Sequence, residues 1–357
     1  MKILRPIAVV AICLTWTAGA VAQISLTPPG AETPPAKPAA KPKAKPHAVA
    51  KKPAAAAAPK PAAPVAPAAT VTPAPAPDDP NVDLVYGAYQ RGQYKTAFDL
   101  ATKRVQDTGD PKAMTMLGEL YANAMGVKRD YAKAADWYKR ASDGGDREAM
   151  LALAMMRLEG RGGPVNREDA AKLLASSAKL GNPKAAYNLA LLYLDGQTLP
   201  QDLRRAAELL RLAADAGNPE AQYALATFYK EGTGVPKDIE KSVRLLQAAS
   251  LADNVDAEVE YAIALFNGTG TPKNEAAAVA LLRKAAKQNS PIAQNRLAWV
   301  LIKGVGAPMD KIEGFKWHIV AKTAGKGDPA LDEAMAQLSP EDRAKAEAAA
   351  RLWLGTK

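Results

Sequence analysis

Small and apolar residues recur along this chain with a period much longer than a helical turn. Six blocks, beginning at Pro111, Arg147, Pro183, Pro219, Val255 and Pro291, follow one another every 36 residues without a gap. The third residue of each block is Ala: Ala113, Ala149, Ala185, Ala221, Ala257 and Ala293. The seventh is Leu117, Leu153, Leu189, Leu225, Tyr261 or Leu297, and the eighth is Gly118, Ala154, Ala190, Ala226, Ala262 or Ala298. A large residue beside a tiny one on a helical face makes a knob next to a place where another helix can come close. Each block therefore predicts a first helix, A.

Glycine stands at position 14, position 16 or both in every block, which predicts a helix exit through positive φ. The pairs are Ala124/Gly126, Gly160/Gly162, Gly196/Thr198, Gly232/Gly234, Gly268/Gly270 and Gly304/Gly306. Position 20 is Asp130, Asn166, Asp202, Asp238, Asn274 or Asp310. All six are strong N-capping types, so a second helix, B, is expected to start there. Its buried side is expected at Trp137, Leu173, Leu209, Leu245, Leu281 and Trp317, with Ala141, Ser177, Ala213, Ala249, Ala285 and Ala321 one turn later. Helix B then closes at Gly145, Gly181, Gly217, Asp253 and Asn289. The next residues, Asp146, Asn182, Asn218, Asn254 and Ser290, cap the following helix A, and Pro opens four of the six blocks. No period-2 run competes, so the predicted class is all-α, a solenoid of helix-turn-helix units.

The pattern A-x-x-x-L-G/A-x-x-Y, G-x-G-V, D-x-x-K-A-x-x-W-Y-x-K/R-A is fullest between Ala113 and Ala141, and Gly232-Thr233-Gly234-Val235 carries its loop intact. It resembles the Sel1-like repeat, a relative of the tetratricopeptide repeat. The resemblance covers residues 111–326 and implies a right-handed α-solenoid. Residues 81–110, with Tyr89, Gly92, Tyr94 and Ala97, are similar to a degenerate tetratricopeptide-type unit that would cap the N-terminal end. Residues 327–357 are expected to form capping helices, the last starting at Ser339-Pro340-Glu341-Asp342 and running through Trp353. The resemblance further implies that helix A lines a concave face. There, residues outside the repeat pattern, near positions 5, 6, 9 and 12, would meet a protein or peptide partner. These are Leu151, Met155, Tyr187, Asn188, Leu191, Tyr223, Thr227, Glu260, Phe266, Asn295, Arg296 and Trp299. Aromatic and Arg side chains are the usual sources of binding energy, which singles out Tyr223 and Trp299.

Composition changes the picture at the N-terminal end. Residues 1–22 have a basic start (Lys2, Arg5), an apolar stretch from Ile7 and the small-x-small run Ala20-Val21-Ala22, as a secretory signal cleaved after Ala22 would. Cleavage would remove Cys13, the one cysteine, and with it any disulfide, thiolate zinc site or cysteine nucleophile. The expected compartment is a bacterial periplasm or the exterior, with no membrane span left in the mature chain. Residues 23–80 hold 16 of the 28 Pro, seven Lys and three acidic residues, the composition of a disordered, extended arm able to touch an anionic cell envelope weakly. Removing these two segments from the net charge of +10 leaves 38 basic and 34 acidic residues in 81–357, too even a balance for a nucleic-acid groove.

Candidate chemistry is sparse. Ser176-Ser177-Ala178-Lys179 contains a Ser-x-x-Lys spacing, and Lys322-Thr323-Ala324-Gly325 loosely resembles the Lys-Thr-Gly of penicillin-recognising enzymes. Four repeats separate them, on the order of 40 Å at 8–10 Å per helix layer, so they do not form one site. His47 is isolated, and His318 takes a place filled by Leu in four other blocks, as a packed side chain would. No cofactor, metal or catalysis is expected. The functional expectation is a scaffold or regulator in the periplasm or envelope, with a partner such as the periplasmic domain of a sensor kinase. A peptidoglycan-associated accessory protein or enzyme is the alternative.

Overall fold

The computed structural model describes residues 83–355; the signal-like segment and the Pro-rich segment lie outside them. Two helices, α1 (Leu84–Gln90) and α2 (Tyr94–Thr108), precede the repeats. The A helices are α3 (Pro111–Asn123), α5 (Arg147–Glu159), α7 (Pro183–Asp195), α9 (Pro219–Glu231), α11 (Val255–Asn267) and α13 (Pro291–Lys303). The B helices are α4 (Tyr131–Asp143), α6 (Arg167–Lys179), α8 (Leu203–Asp215), α10 (Ile239–Leu251), α12 (Glu275–Lys287) and α14 (Lys311–Thr323). α15 (Pro329–Ala336) and α16 (Pro340–Gly355) follow. Among the described residues there is no strand, and the array is an α-solenoid in which each helix from α1 to α13 packs on the next in sequence, while α16 returns to pack on α14.

The caps fall where the residue types require. Each position-20 Asp or Asn accepts from a backbone N–H in the first turn of its helix B, as Asp130 Oδ1 does from Lys133 at 3.0 Å and Asp238 Oδ1 from Lys241 at 2.9 Å. The backbone N–H of the same residue reaches back to a carbonyl near the end of helix A. These bonds run from Asp130 to Tyr121, Asn166 to Arg157, Asp202 to Tyr193, Asp238 to Tyr229, Asn274 to Leu265 and Asp310 to Leu301, all between 2.8 and 3.2 Å. One residue thus ties the end of A to the start of B in every repeat. Asp110, Asp146, Asn182, Asn218, Asn254 and Ser290 cap the A helices in the same way. Each cap contributes about 1 kcal/mol.

The second loop glycine does more than turn the chain. Gly234 has φ +65°, and a Cβ there would collide with the carbonyl of Leu203, the first residue of the preceding helix B. Gly162 stands in the same way on Tyr131, and Gly306 on Glu275. In the second, fourth, fifth and sixth repeats the loop backbone is therefore seated directly on the N-terminus of the previous B helix. Gly126 makes the equivalent approach to Tyr94, the start of α2. The α1–α2 hairpin thus fills the place a preceding repeat would hold. In the third repeat Thr198 replaces this glycine, and its hydroxyl is buried without a hydrogen-bond partner.

The core corrects one expectation about helix B. Position 28, held by Tyr138, Leu174, Leu210, Leu246, Leu282 and His318, is buried in all six repeats. At position 27, Trp137, Leu173, Leu245 and Leu281 are only half-buried. Position 27 lies at the seams between repeats: Trp137 packs on the cluster that joins α1–α2 to the first A helix, and Leu173 on the clusters that join its repeat to its neighbours. Leu209 is buried, and Trp317 is 2% exposed because α16 covers it, with Trp353 edge-on at 5.0 Å. Where Tyr138 replaces the usual Leu, the facing residue shrinks to Gly118, at which a Cβ would lie 2.6 Å from the Tyr138 ring.

Gly234→Ala should cost about 2–5 kcal/mol, combining left-handed strain with overpacking of backbone on backbone. Gly217→Ala, where φ is +84° but nothing lies within 4 Å of the new Cβ, should cost only about 1–2 kcal/mol. Urea unfolding followed by far-UV circular dichroism ranks the two; equal losses would show that the loop–helix seat is not tight.

Candidate partner-binding face

The A helices carry the expected residues at positions 5, 6 and 9. Met155 lies on α5, Tyr187, Asn188 and Leu191 on α7, Tyr223 and Thr227 on α9, Glu260 on α11, and Arg296 and Trp299 on α13; all nine are half-buried, as are Leu151 and Asn295. Phe266 departs from this set. It is 4% exposed and belongs to the core, although position 12 is half-buried in the other five repeats.

Several of these side chains already have partners. Asn188 donates to the Lys184 carbonyl at 2.7 Å and Thr227 to that of Tyr223 at 3.2 Å. The Trp299 indole N–H donates to Asp328 at 2.7 Å, Asn295 to the Lys326 carbonyl at 3.3 Å, and Lys303 lies 4.7 Å over the Trp299 ring. Trp299 and Asn295 thus hold the chain leading into α15, which Asp328 caps.

The middle of the row is electrostatically joined. Lys230 and Glu260 pair at 2.9 Å between α9 and α11. Burial, then the carboxylates of Asp256 and Glu260, push the Tyr223 hydroxyl up to about 12. Burial and then Glu220 raise Tyr187 above the ordinary phenol value. Desolvation pulls Arg296 below its ordinary value, against the pull of Glu260 and Asp328. Tyr223, Lys230, Glu260 and Arg296 therefore form one group spanning α9, α11 and α13, whereas Met155 and Leu191 lie outside it. Glu220, Asp256 and Lys230 were not singled out by sequence. The first two occupy position 2, where a first-turn carboxylate reads simply as a favourable helix-dipole charge.

The serines and the histidine singled out by sequence have partners, though Nδ1 of His318 is buried without one. Ser176 donates to the Lys172 carbonyl and buried Ser177 to that of Arg147. His318 is fully buried, with Nε2 2.8 Å from Asp332. It lines a cavity of about 500 Å³ between α14, α15 and α16, whose charged groups pair as Lys322–Asp332 at 2.7 Å and Arg343–Glu347 at 3.1 Å. Among the described residues no helix is long and apolar enough to cross a membrane.

The raised Tyr223 value has a definite sign. Its neutral phenol stabilises the fold below the ordinary tyrosine pKa near 10, and that contribution is lost as pH rises through about 12. In an alkaline absorbance titration, Tyr223→Phe should remove one phenolate appearing near pH 12 and flatten the loss of stability between those values. An unchanged high-pH step would place Tyr223 in open solvent.

Comparison with known proteins agrees with this architecture. The Sel1 repeat profile matches residues 111–146, 147–182, 183–218, 219–254, 255–290 and 291–326. A Sel1 repeat protein from Oxalobacter formigenes is similar in structure, with 25% identity, a TM-score of 0.61, and 67% of this chain and 98% of that one covered. So is c5321, a protective antigen present in uropathogenic Escherichia coli strains displaying an SLR fold, at 25% identity, a TM-score of 0.53, and 67% of its length against 75% of this chain. No curated protein matches the sequence. Proteins built from these repeats are in general non-enzymatic scaffolds for protein interactions. Six adjoining matches in one unbroken 36-residue register show that this chain belongs to the Sel1 repeat family.

Proposed function

We propose that the chain is an exported, non-catalytic scaffold or regulator of the bacterial envelope that binds a protein partner along the row of its A helices. The observation that carries this reading is the recurrence of half-buried aromatic and charged side chains at positions 5, 6 and 9 of successive A helices: Tyr187 on α7, Tyr223 on α9, Glu260 on α11, and Arg296 and Trp299 on α13. Aligned side chains of this kind suit an extended peptide or a helix laid across the array. Each ring needs little ordering on binding, since the core already holds Tyr187 and Tyr223 on one side.

Export rests on the residues before the repeats. The basic start, the apolar stretch and Ala20-Val21-Ala22 support cleavage before Gln23, and the loss of Cys13 leaves a chain indifferent to an oxidising compartment. There the Lys-rich segment 23–80 meets anionic envelope polymer. The periplasmic domain of a sensor kinase is a partner of the right kind, protein rather than small molecule, for a surface without a catalytic constellation.

Two measurements test the parts separately. N-terminal sequencing of the protein from the envelope fraction should begin at Gln23, and an intact Met1 in the cytoplasm would refute export. In a crosslinking pull-down, a Tyr223→Ala, Trp299→Ala variant with unchanged helical circular dichroism should lose its main partner. An unchanged partner set would remove this row from the function.

A further inference from the structure

The last repeat closes differently from the others, and the difference leaves a recess. Each A helix has 13 residues, but α15, the helix after α14, has eight, and α16 rather than α15 packs along α14. The cavity of about 500 Å³ lies where these three helices meet, and its volume is that of a small-molecule site. His318, Ile319 and Met335 form its less exposed side. Its rim carries Lys322 on α14, Asp332 on α15, and Arg343 and Glu347 on α16, all at least partly exposed.

The carboxylates of this rim are met on two sides, and the cations are not. Asp332 Oδ1 accepts from Lys322 Nζ at 2.7 Å and lies 2.8 Å from His318 Nε2. Those bonds, that of Lys322 first, hold the Asp332 carboxyl below the ordinary carboxylate range, so it is ionised and His318 Nε2 carries the hydrogen between them. Glu347 faces Arg343 Nε at 3.1 Å and Arg351 at 3.8 Å. Lys322, by contrast, makes one hydrogen bond of the three its ammonium can donate. Arg343 donates through Nε alone, and both terminal nitrogens of its guanidinium are without a partner among the described residues. Counting Arg351, three cations stand against two carboxylates. The unmatched groups are therefore positive donors, and the fork of a guanidinium fits a carboxylate.

We propose that this cavity binds an organic carboxylate with an apolar body, the carboxylate on Arg343 and Lys322 and the body against Ile319 and Met335. His318 is a positioning residue: it fixes Asp332, which holds the Lys322 ammonium at the rim. The leucines at the same position of other repeats, Leu174, Leu210, Leu246 and Leu282, fill that buried place without this second bond. No lining residue belongs to an A helix, so the site is separate from the row and does not rest on the scaffold reading. The same chemistry is offered by a free aliphatic acid and by the C-terminal residue of a polypeptide.

The test is isothermal titration calorimetry of the full chain with hexanoate and with acetyl-Ala-Ala-Leu ending in a free carboxylate, each beside its amide. At least one of the two acids should bind, about tenfold or more tighter than its own amide and than acetate, and more weakly as salt rises. Binding of hexanoate alone assigns a free acid, and binding of the peptide acid alone assigns a polypeptide C-terminus. Arg343→Gln should weaken binding about tenfold or more, with Arg343→Lys, which keeps the charge and loses the fork, in between. Lys322→Gln should weaken it as well. His318→Leu should lower affinity, and His318→Gln, whose amide can still donate to Asp332, should restore most of it; a role confined to packing would show the opposite order. No binding by either acid overturns the inference, as do equal binding of acid and amide, or unchanged affinity in Arg343→Gln and Lys322→Gln with helical circular dichroism intact.

Discussion

The array depends on a single residue placed at the corner of every repeat. The Asp or Asn at position 20 gives its backbone N–H to the end of helix A and its side chain to the start of helix B. Helix ends leave backbone groups unsatisfied, and here one residue serves both ends. Because the bond from position 20 back to position 11 is the same in all six repeats, the angle between A and B has little freedom to drift. A constant hairpin is what allows a second constraint, the glycine at position 16, to bring the loop onto the preceding B helix at backbone distance. Corner and seat together convert a 36-residue period into a solenoid step. Apolar burial supplies most of the energy of such an array, but it does not by itself select a step, since Leu–Ala faces would pack at many offsets.

That division explains what could be read in advance. Caps and helix exits are local: a side-chain oxygen or a missing Cβ has the same meaning wherever the chain puts it, so Asp130 through Asp310 and Gly232 through Gly306 disclosed the hairpins. Position 27 misled because a large apolar residue at a helical spacing indicates burial without saying against what. Trp137 and Leu173 lie half-buried at the seams between repeats, and the fully buried side chain is the neighbour, Tyr138 or Leu174. Phe266 was misplaced for a similar reason, since one residue of helix rotation carries a ring from the outer row to the core. His318 was legible as packed from its register alone. Its Asp332 partner was not, because α15 approaches by tertiary docking that no local pattern encodes.

The two ends of the array solve a common problem with different parts. A solenoid exposes an apolar face wherever a neighbour is missing. At the start, α1–α2 imitates a repeat closely enough that Gly126 finds Tyr94 where later glycines find the first residue of a B helix. At the finish the imitation stops. α16 crosses α14 with Trp353 against Trp317, Lys316 lies 4.4 Å and 5.4 Å from the two ring centres, and Glu313 takes both the Lys316 amine and the Trp317 indole N–H. A different closure at this end has a cost for recognition. Trp299 and Asn295, which would otherwise extend the row by one more repeat, are committed to Asp328 and Lys326.

That commitment decides how the row is divided. Residues on α13 thus serve the closing segment as well as the row. Within it, burial sets the tyrosines and charge pairing sets which carboxylates stay available, and the two requirements come from different sources. The tyrosines lie at position 5 because repeat packing half-covers that height; Glu220 and Asp256 lie at position 2 because a helix N-terminus tolerates negative charge there at no structural cost. Neither placement needs a partner to explain it. A scaffold assembled from identical steps gains specificity in this way, by varying residues that the step leaves unconstrained.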